Sequence, residues 1–131
     1  MKMSSNKTII LAYGTLRKGY SNSRLVDIPG KTKYLGRGKT VEKYTLKASG
    51  IPFVGKNPTH QVIVDAWEID TENHLPSVDQ LEGHPNWYKR EEIKCVLDSG
   101  ENIKGWLYFM ESNSQIIESG DYTDYRKPIA H

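Results

Sequence analysis

Residues 61–70 read QVIVDAWEID. Val62, Val64, Ala66 and Glu68 alternate with Ile63, Asp65, Trp67 and Ile69, the two-residue period of a β-strand. Both faces are largely apolar. A strand wetted on one side needs only one apolar face, so this strand is expected in the middle of a sheet, covered on both sides. Thr8 to Tyr13, TIILAY, reads the same way: β-branched, continuously apolar and short.

Working outward, Gly14 to Gly19 closes the first strand with a turn. Asn22 to Val26 suits a single helical turn, and Pro29-Gly30 breaks the chain. Lys33 to Leu46 is rich in Thr, Val and Tyr, with Gly36 and Gly38 at bulges or corners of bent strands. Ser49-Gly50-Ile51-Pro52 and Lys56-Asn57-Pro58 read as loops. His74 to Glu82 reads as a short helix: Leu75, Val78 and Leu81 share a face, Pro76 lies near the start and Gly83 follows the end. Tyr88 to Leu97 alternates, residues 98–102 form a hairpin turn, and Ile103 to Met110 returns. The tail, residues 118–128, is polar and rich in tyrosine. Many short strands with glycine corners and one or two short helices give an α+β fold, a small mixed β-barrel with short flanking helices.

The 131 residues suit one domain, 1–131, with 1–7 and 126–131 as loosely ordered ends. No apolar run approaches the ~20 residues that cross a bilayer, and the apolar stretch after residue 7 is shorter than a secretory signal core. The single cysteine, Cys95, rules out a disulfide within the chain, and cytoplasmic residence is the expectation. Net charge is +2, unevenly spread: residues 1–60 hold 12 Lys/Arg and 2 Asp/Glu, residues 61–131 hold 6 and 14. Such asymmetry can mark an anion-binding face or a nucleic-acid partner. No basic block exceeds two residues, so pairing of the halves across strands is the favoured reading and a nucleic-acid partner is ranked last.

Few residues stand out for chemistry. Glu82 ends the helix, where the negative end of the helix dipole disfavours a carboxylate. Leu81 and Trp87 are apolar neighbours in sequence, and desolvation would raise its pKa towards that of a useful general base. By residue type alone the commoner case is an exposed glutamate at an ordinary helix end. His60, His74, His84 and His131 form no metal-binding spacing, so no metal site is expected. Cys95 lies on an apolar strand face and reads as core. The aromatics Tyr34, Tyr44, Trp67, Trp106 and Tyr108 read as core as well. Backbone amides at Gly14 and Thr15 could face an anion, with Arg17 and Lys18 adding positive potential; composition leaves this even with a plain turn.

Taken together, Tyr13-Gly14-Thr15-Leu16-Arg17-Lys18-Gly19 with Asn22 and Arg24, then Leu81-Glu82-Gly83 with Pro85, Tyr88 and Arg90, then Glu118 to Tyr122, resemble the ordered signatures of the γ-glutamylcyclotransferase-like superfamily. The γ-glutamylamine cyclotransferase branch is the best match. The resemblance implies a small barrel and a cofactor-free reaction. The α-amine of a γ-glutamyl amide attacks its own γ-carbonyl, giving 5-oxoproline and a free amine. It implies Glu82 as the catalytic acid and base. Gly14, Thr15 and Leu16 amides would hold a carboxylate or oxyanion, with Tyr13 and either Tyr122 or Tyr125 lining the pocket. Arg17 and Lys18 are then expected at the rim. His84 is expected to face solvent rather than join a proton relay. The alternative is a binding protein that sequesters an anionic small molecule, a nucleotide among the candidates, in the same pocket.

Overall fold

The computed structural model describes residues 6–127. Eight strands and one α-helix run in the order β1 (Lys7–Ala12), β2 (Lys33–Thr40), β3 (Tyr44–Ser49), β4 (Ile51–His60), β5 (Ile63–Asp70), α1 (Thr71–Glu82), β6 (Lys89–Leu97), β7 (Asn102–Phe109) and β8 (Gln115–Ile116). Single 3-10 turns occupy Ser23–Leu25 and Tyr122–Asp124. Five strands close a barrel in the order β1-β5-β2-β6-β7, and β4-β3-β8 form a second, smaller sheet.

The QVIVDAWEID strand is central, as its two apolar faces require. β5 pairs antiparallel with β1 on one side and β2 on the other. The seam closes where β7 meets β1 in parallel, with Ile10 opposite Trp106. Alternation along β5 divides the core in two. Val64 and Ala66 point inward with Leu11, Cys95, Leu97 and Leu107. Trp67 and Ile69 point outward with Ile10 and Ala12, beneath Leu75 and Val78 of α1. Each fully buried Val, Leu or Ile among them contributes about 1.5–3 kcal/mol. Cys95 is core, and burial pushes its thiol up to about 11. Gly36 lies at the bulge where the β2–β5 register shifts.

Two expectations are corrected. The stretches around Pro52 and Pro58 belong to β4 rather than to loops. β4 is an edge strand, where a residue without an N–H costs no ladder bond. A register shift, Thr45 opposite Gly55 but Tyr44 opposite His60, takes up the residues around Pro58. The helix starts at Thr71, not His74, because the Asp70 carboxylate caps it, accepting the Asn73 N–H at 2.9 Å. At the ends, Lys7 pairs with Asp70, and the Arg126 carbonyl accepts the Tyr20 hydroxyl. The expectation for 1–5 and 128–131 lies outside the described residues.

Charge asymmetry resolves into pairing. Four of the five ion pairs among the described residues join a cation before residue 61 to an acid after it: Arg17 with Asp65 and with Asp121, Arg37 with Asp98, and Lys56 with Glu91. Among the described residues no helix is long and apolar enough to cross a membrane, and no three His, Cys, Asp or Glu side chains gather as metal ligands. His131 lies outside the described residues.

Candidate active site

Two local structures meet at one cavity of about 140 Å³. The first is the turn that ends β1. Its backbone is pinned from within: the Arg17 N–H donates to the Gly14 carbonyl at 2.9 Å and the Asn22 N–H to the Thr15 carbonyl at 3.0 Å. The Asn22 side-chain amide donates to Thr15 Oγ1 at 2.8 Å. The amides of Gly14, Thr15 and Leu16 donate to no oxygen among the described residues. Three donors on a pinned turn beside a cavity suit an anion.

Gly14 is obligatory for space. A Cβ there would lie 2.3 Å from Pro52 Cγ, so β4 covers the turn only because the residue has no side chain. Gly14→Ala is expected to lose about 1–3 kcal/mol from overpacking. Chemical denaturation checks this, and Pro52→Ala in the same chain should return part of the loss.

The second structure is the end of α1. Gly83 stands in the left-handed region at φ 69°, and the Gly83 and His84 N–H groups turn back to the Gln80 and Asp79 carbonyls. This Schellman closure fixes Glu82 as the last helical residue. The following turn contains the cis His84–Pro85 peptide, and the Tyr88 N–H bonds back to the Glu82 carbonyl. The Glu82 carboxylate lines the cavity and accepts no hydrogen bond from the described residues. Burial raises its pKa to about 7.

A short polar frame holds the walls. Tyr13 donates to the Tyr108 carbonyl at 2.6 Å, Tyr88 to the Pro52 carbonyl at 2.6 Å, and Tyr108 to Asp79 Oδ1 at 2.6 Å. Arg90 donates to both Asp79 oxygens, at 2.9 and 3.2 Å. The three phenol protons are therefore committed away from Glu82. Burial raises all three phenols above the usual range, with Glu82 adding to the rise at each, so they stay neutral. Burial also works against an ionised Asp79, but hydrogen bonds from Arg90 and Tyr108 hold its pKa below the ordinary value. Asp79 and Glu82, three residues apart on one helix, are thus pushed in opposite directions. Such separation assigns one carboxylate to structure and leaves the other available for proton transfer.

The cavity brings together Tyr13, Gly14, Thr15, Leu16 and Glu82. It does not bring in the rest of the expected set. Arg17 is no rim residue: it is 5% exposed, its Nε on Asp65 at 3.1 Å and its Nη1 on Asp121 at 2.8 Å. Lys18 is exposed but lies 4.9 Å from the Tyr34 ring centre, outside the cavity lining. Tyr122 is fully buried between Tyr20 and Tyr125 and does not line the cavity. Tyr125 reaches elsewhere, its hydroxyl accepting the Gly50 N–H at 2.8 Å. His84 does not face solvent freely; Nδ1 takes the Arg90 N–H at 3.4 Å and its ring meets Tyr108 edge-on. It too lies outside the cavity lining.

Ile51, Pro52 and Tyr108 line the cavity without having been expected there. Ile51 and Pro52 were hidden because a Gly-Ile-Pro run reads as a loop. Tyr108 was hidden because an aromatic in a strand reads as core. Asn22 and Tyr88, present in the two signatures, also line it.

The family model described as "Gamma-glutamyl cyclotransferase, AIG2-like" matches residues 10–124. The chain belongs to that family. A Methanocaldococcus jannaschii protein named "Putative gamma-glutamylcyclotransferase" is 44% identical over 119 residues, 89% of this chain and 97% of its own. A Xenopus laevis protein named "Gamma-glutamylaminecyclotransferase" is 41% identical over 74 residues, 51% of this chain and 53% of its own. The crystal structure of a Mus musculus AIG2-like protein superposes with a TM-score of 0.74 at 26% identity, covering 86% of this chain and 87% of that one. The superposition places this chain's closed barrel and outer helix in the same fold as that structure.

Proposed function

We propose that this chain is a cyclotransferase that converts a γ-glutamyl amine to 5-oxoproline and a free amine. One observation carries the reading: a half-buried carboxylate with no partner among the described residues, its pKa raised to about 7, shares a cavity with a turn whose amides are free to donate. The names of the family and of the relatives support a γ-glutamylcyclotransferase-type activity.

The chemistry follows from those groups. The free amides of Gly14 to Leu16 receive either the substrate α-carboxylate or the oxyanion. Ionised Glu82 takes a proton from the α-ammonium. The freed amine attacks the γ-carbonyl carbon, forming the ring C–N bond, and the carbonyl oxygen becomes an oxyanion. Collapse breaks the bond to the leaving nitrogen, to which Glu82 returns the proton. The second proton lost by the ring nitrogen passes to the departing amine or to solvent. Holding the glutamyl chain curled makes the attack intramolecular, so orientation supplies much of the rate. A pKa near the working pH lets one carboxylate serve as base and then acid. The kcat/KM profile is therefore expected to rise with pH through an acid limb near 7, as Glu82 ionises in the free protein; initial rates across pH 5–9 check it.

Sequestration of an anion is the second reading, and the same free amides favour it. A nucleotide fits it poorly, because about 140 Å³ is well under the ~300 Å³ lower end of drug-sized pockets. Incubating the protein with a panel of γ-glutamyl compounds, glutathione included, and assaying 5-oxoproline separates the two. Product from any member supports turnover. A bound compound recovered unchanged supports sequestration.

A further inference from the structure

Resting on the cyclotransferase reading, we infer that the leaving amine carries an uncharged, apolar substituent, gripped at the cavity mouth by Ile51 and Leu81. The space inside sets the first constraint. A cavity of about 140 Å³ has room for an amino-acid-sized group, so the curled glutamyl part occupies it and the leaving part projects outward. What it meets there is apolar. Ile51 and Leu81 both line the cavity, and both are large hydrophobic side chains left exposed, at 46% and 42%. They come from different elements, Ile51 from the start of β4 and Leu81 from the last turn of α1, so the mouth is built by the convergence of two apolar edges. Trp87, 64% exposed, is carried on the turn that follows Glu82, its N–H on the Gly83 carbonyl.

Charge sets the second constraint. Among the residues lining the cavity, Glu82 is the one carboxylate, and no Lys, Arg or His lines it. Nearby charges are occupied elsewhere: Arg17 by Asp65 and Asp121, Arg90 by Asp79. A leaving group bearing its own ammonium and carboxylate would meet no partner for either at this mouth. An alkyl or arylalkyl group would gain contact with Ile51 and Leu81 and leave no ion unpaired.

The test uses a matched pair. γ-Glutamyl-n-pentylamide is γ-glutamyl-ε-lysine without the lysine ammonium and carboxylate. For both, the ring C–N bond forms, the amide bond breaks and the leaving nitrogen takes the proton from Glu82, so the reaction is held constant. The expected result is a kcat/KM for the pentylamide about tenfold above that for the lysine conjugate, expressed mainly in KM. Leu81→Ser and Ile51→Ser should each shrink that ratio, and together bring it near one. Both side chains are substantially exposed, and a thermal melt of each variant verifies folding. A lysine conjugate turned over as well as or better than the pentylamide overturns the inference, as does a preference that survives both substitutions. Release of 5-oxoproline from neither compound, nor from any other γ-glutamyl amine, overturns the cyclotransferase reading itself.

Discussion

Glu82→Gln is expected to slow 5-oxoproline release by about 10²–10⁴-fold, with KM changed little. The amide keeps the shape of the carboxylate, so the cavity stays the same size. What it loses is the ability to accept the α-ammonium proton and hand one to the leaving amine. The acid limb of the pH profile should disappear with it. The same substitution carries a thermodynamic signature that does not depend on any substrate. The Glu82 pKa is raised from 4.5 to about 7, so the folded state binds the proton more tightly than the unfolded chain. A carboxyl shifted upward costs stability as pH climbs from its unfolded value through its folded one, and the full cost is present above that. Glu82→Gln should therefore match the parent near pH 4.5 and exceed it above pH 7, by about 3 kcal/mol at most. Urea denaturation at the two pH values reads this directly. A variant no more stable than the parent above pH 7 would show that the carboxylate is not desolvated.

Arg17→Ala is expected to cost about 3–5 kcal/mol, because breaking a buried ion pair strands its partners. Asp65 is 4% exposed and gathers Arg17 Nε, the Lys18 N–H at 3.0 Å and the Tyr34 hydroxyl at 2.7 Å. Without the guanidinium its charge has one neutral amide and one phenol. The pair spans the fold: Arg17 follows the β1 turn, Asp65 belongs to β5 and Asp121 to the tail. Loss of Arg17 should thus loosen the turn whose amides face the cavity, and the tail with it. Combining Arg17→Met with Asp65→Asn should recover part of the stability, since the stranded charge is then gone. Thermal melts of the single and double variants supply the comparison.

Much of this architecture is legible in the chain because the local signals agree. The alternation in QVIVDAWEID places one strand between two others, and Gly83 after Glu82 stops the helix at the carboxylate. Composition cannot say what Arg17 does. A cation beside a glycine turn looks like an electrostatic rim, and only the fold reveals that Asp65 and Asp121, 48 and 104 residues away, claim it. Tyr122 and Tyr125 fail as pocket residues for a related reason. A tail tyrosine has reach enough for the pocket, but Tyr122 is taken up by packing against Tyr20 and Tyr125 by the Gly50 amide. Ile51 and Pro52 were hidden by the opposite effect: residues typical of a loop form an edge strand, where proline is tolerated. Long-range partners and edge positions are properties of the assembled sheet, so neighbouring residues do not announce them.

The most direct measurement follows the product in heavy-oxygen water. The protein is incubated with a γ-glutamyl amine in H₂¹⁸O, and the acyl product is analysed by mass. Attack by the substrate's own amine brings in no water, so the predicted product is 5-oxoproline without the heavy oxygen, released with one equivalent of free amine. Glutamate carrying the heavy oxygen would mean that water is the nucleophile, and bound substrate recovered intact would mean that the cavity only binds. Either result would contradict the account.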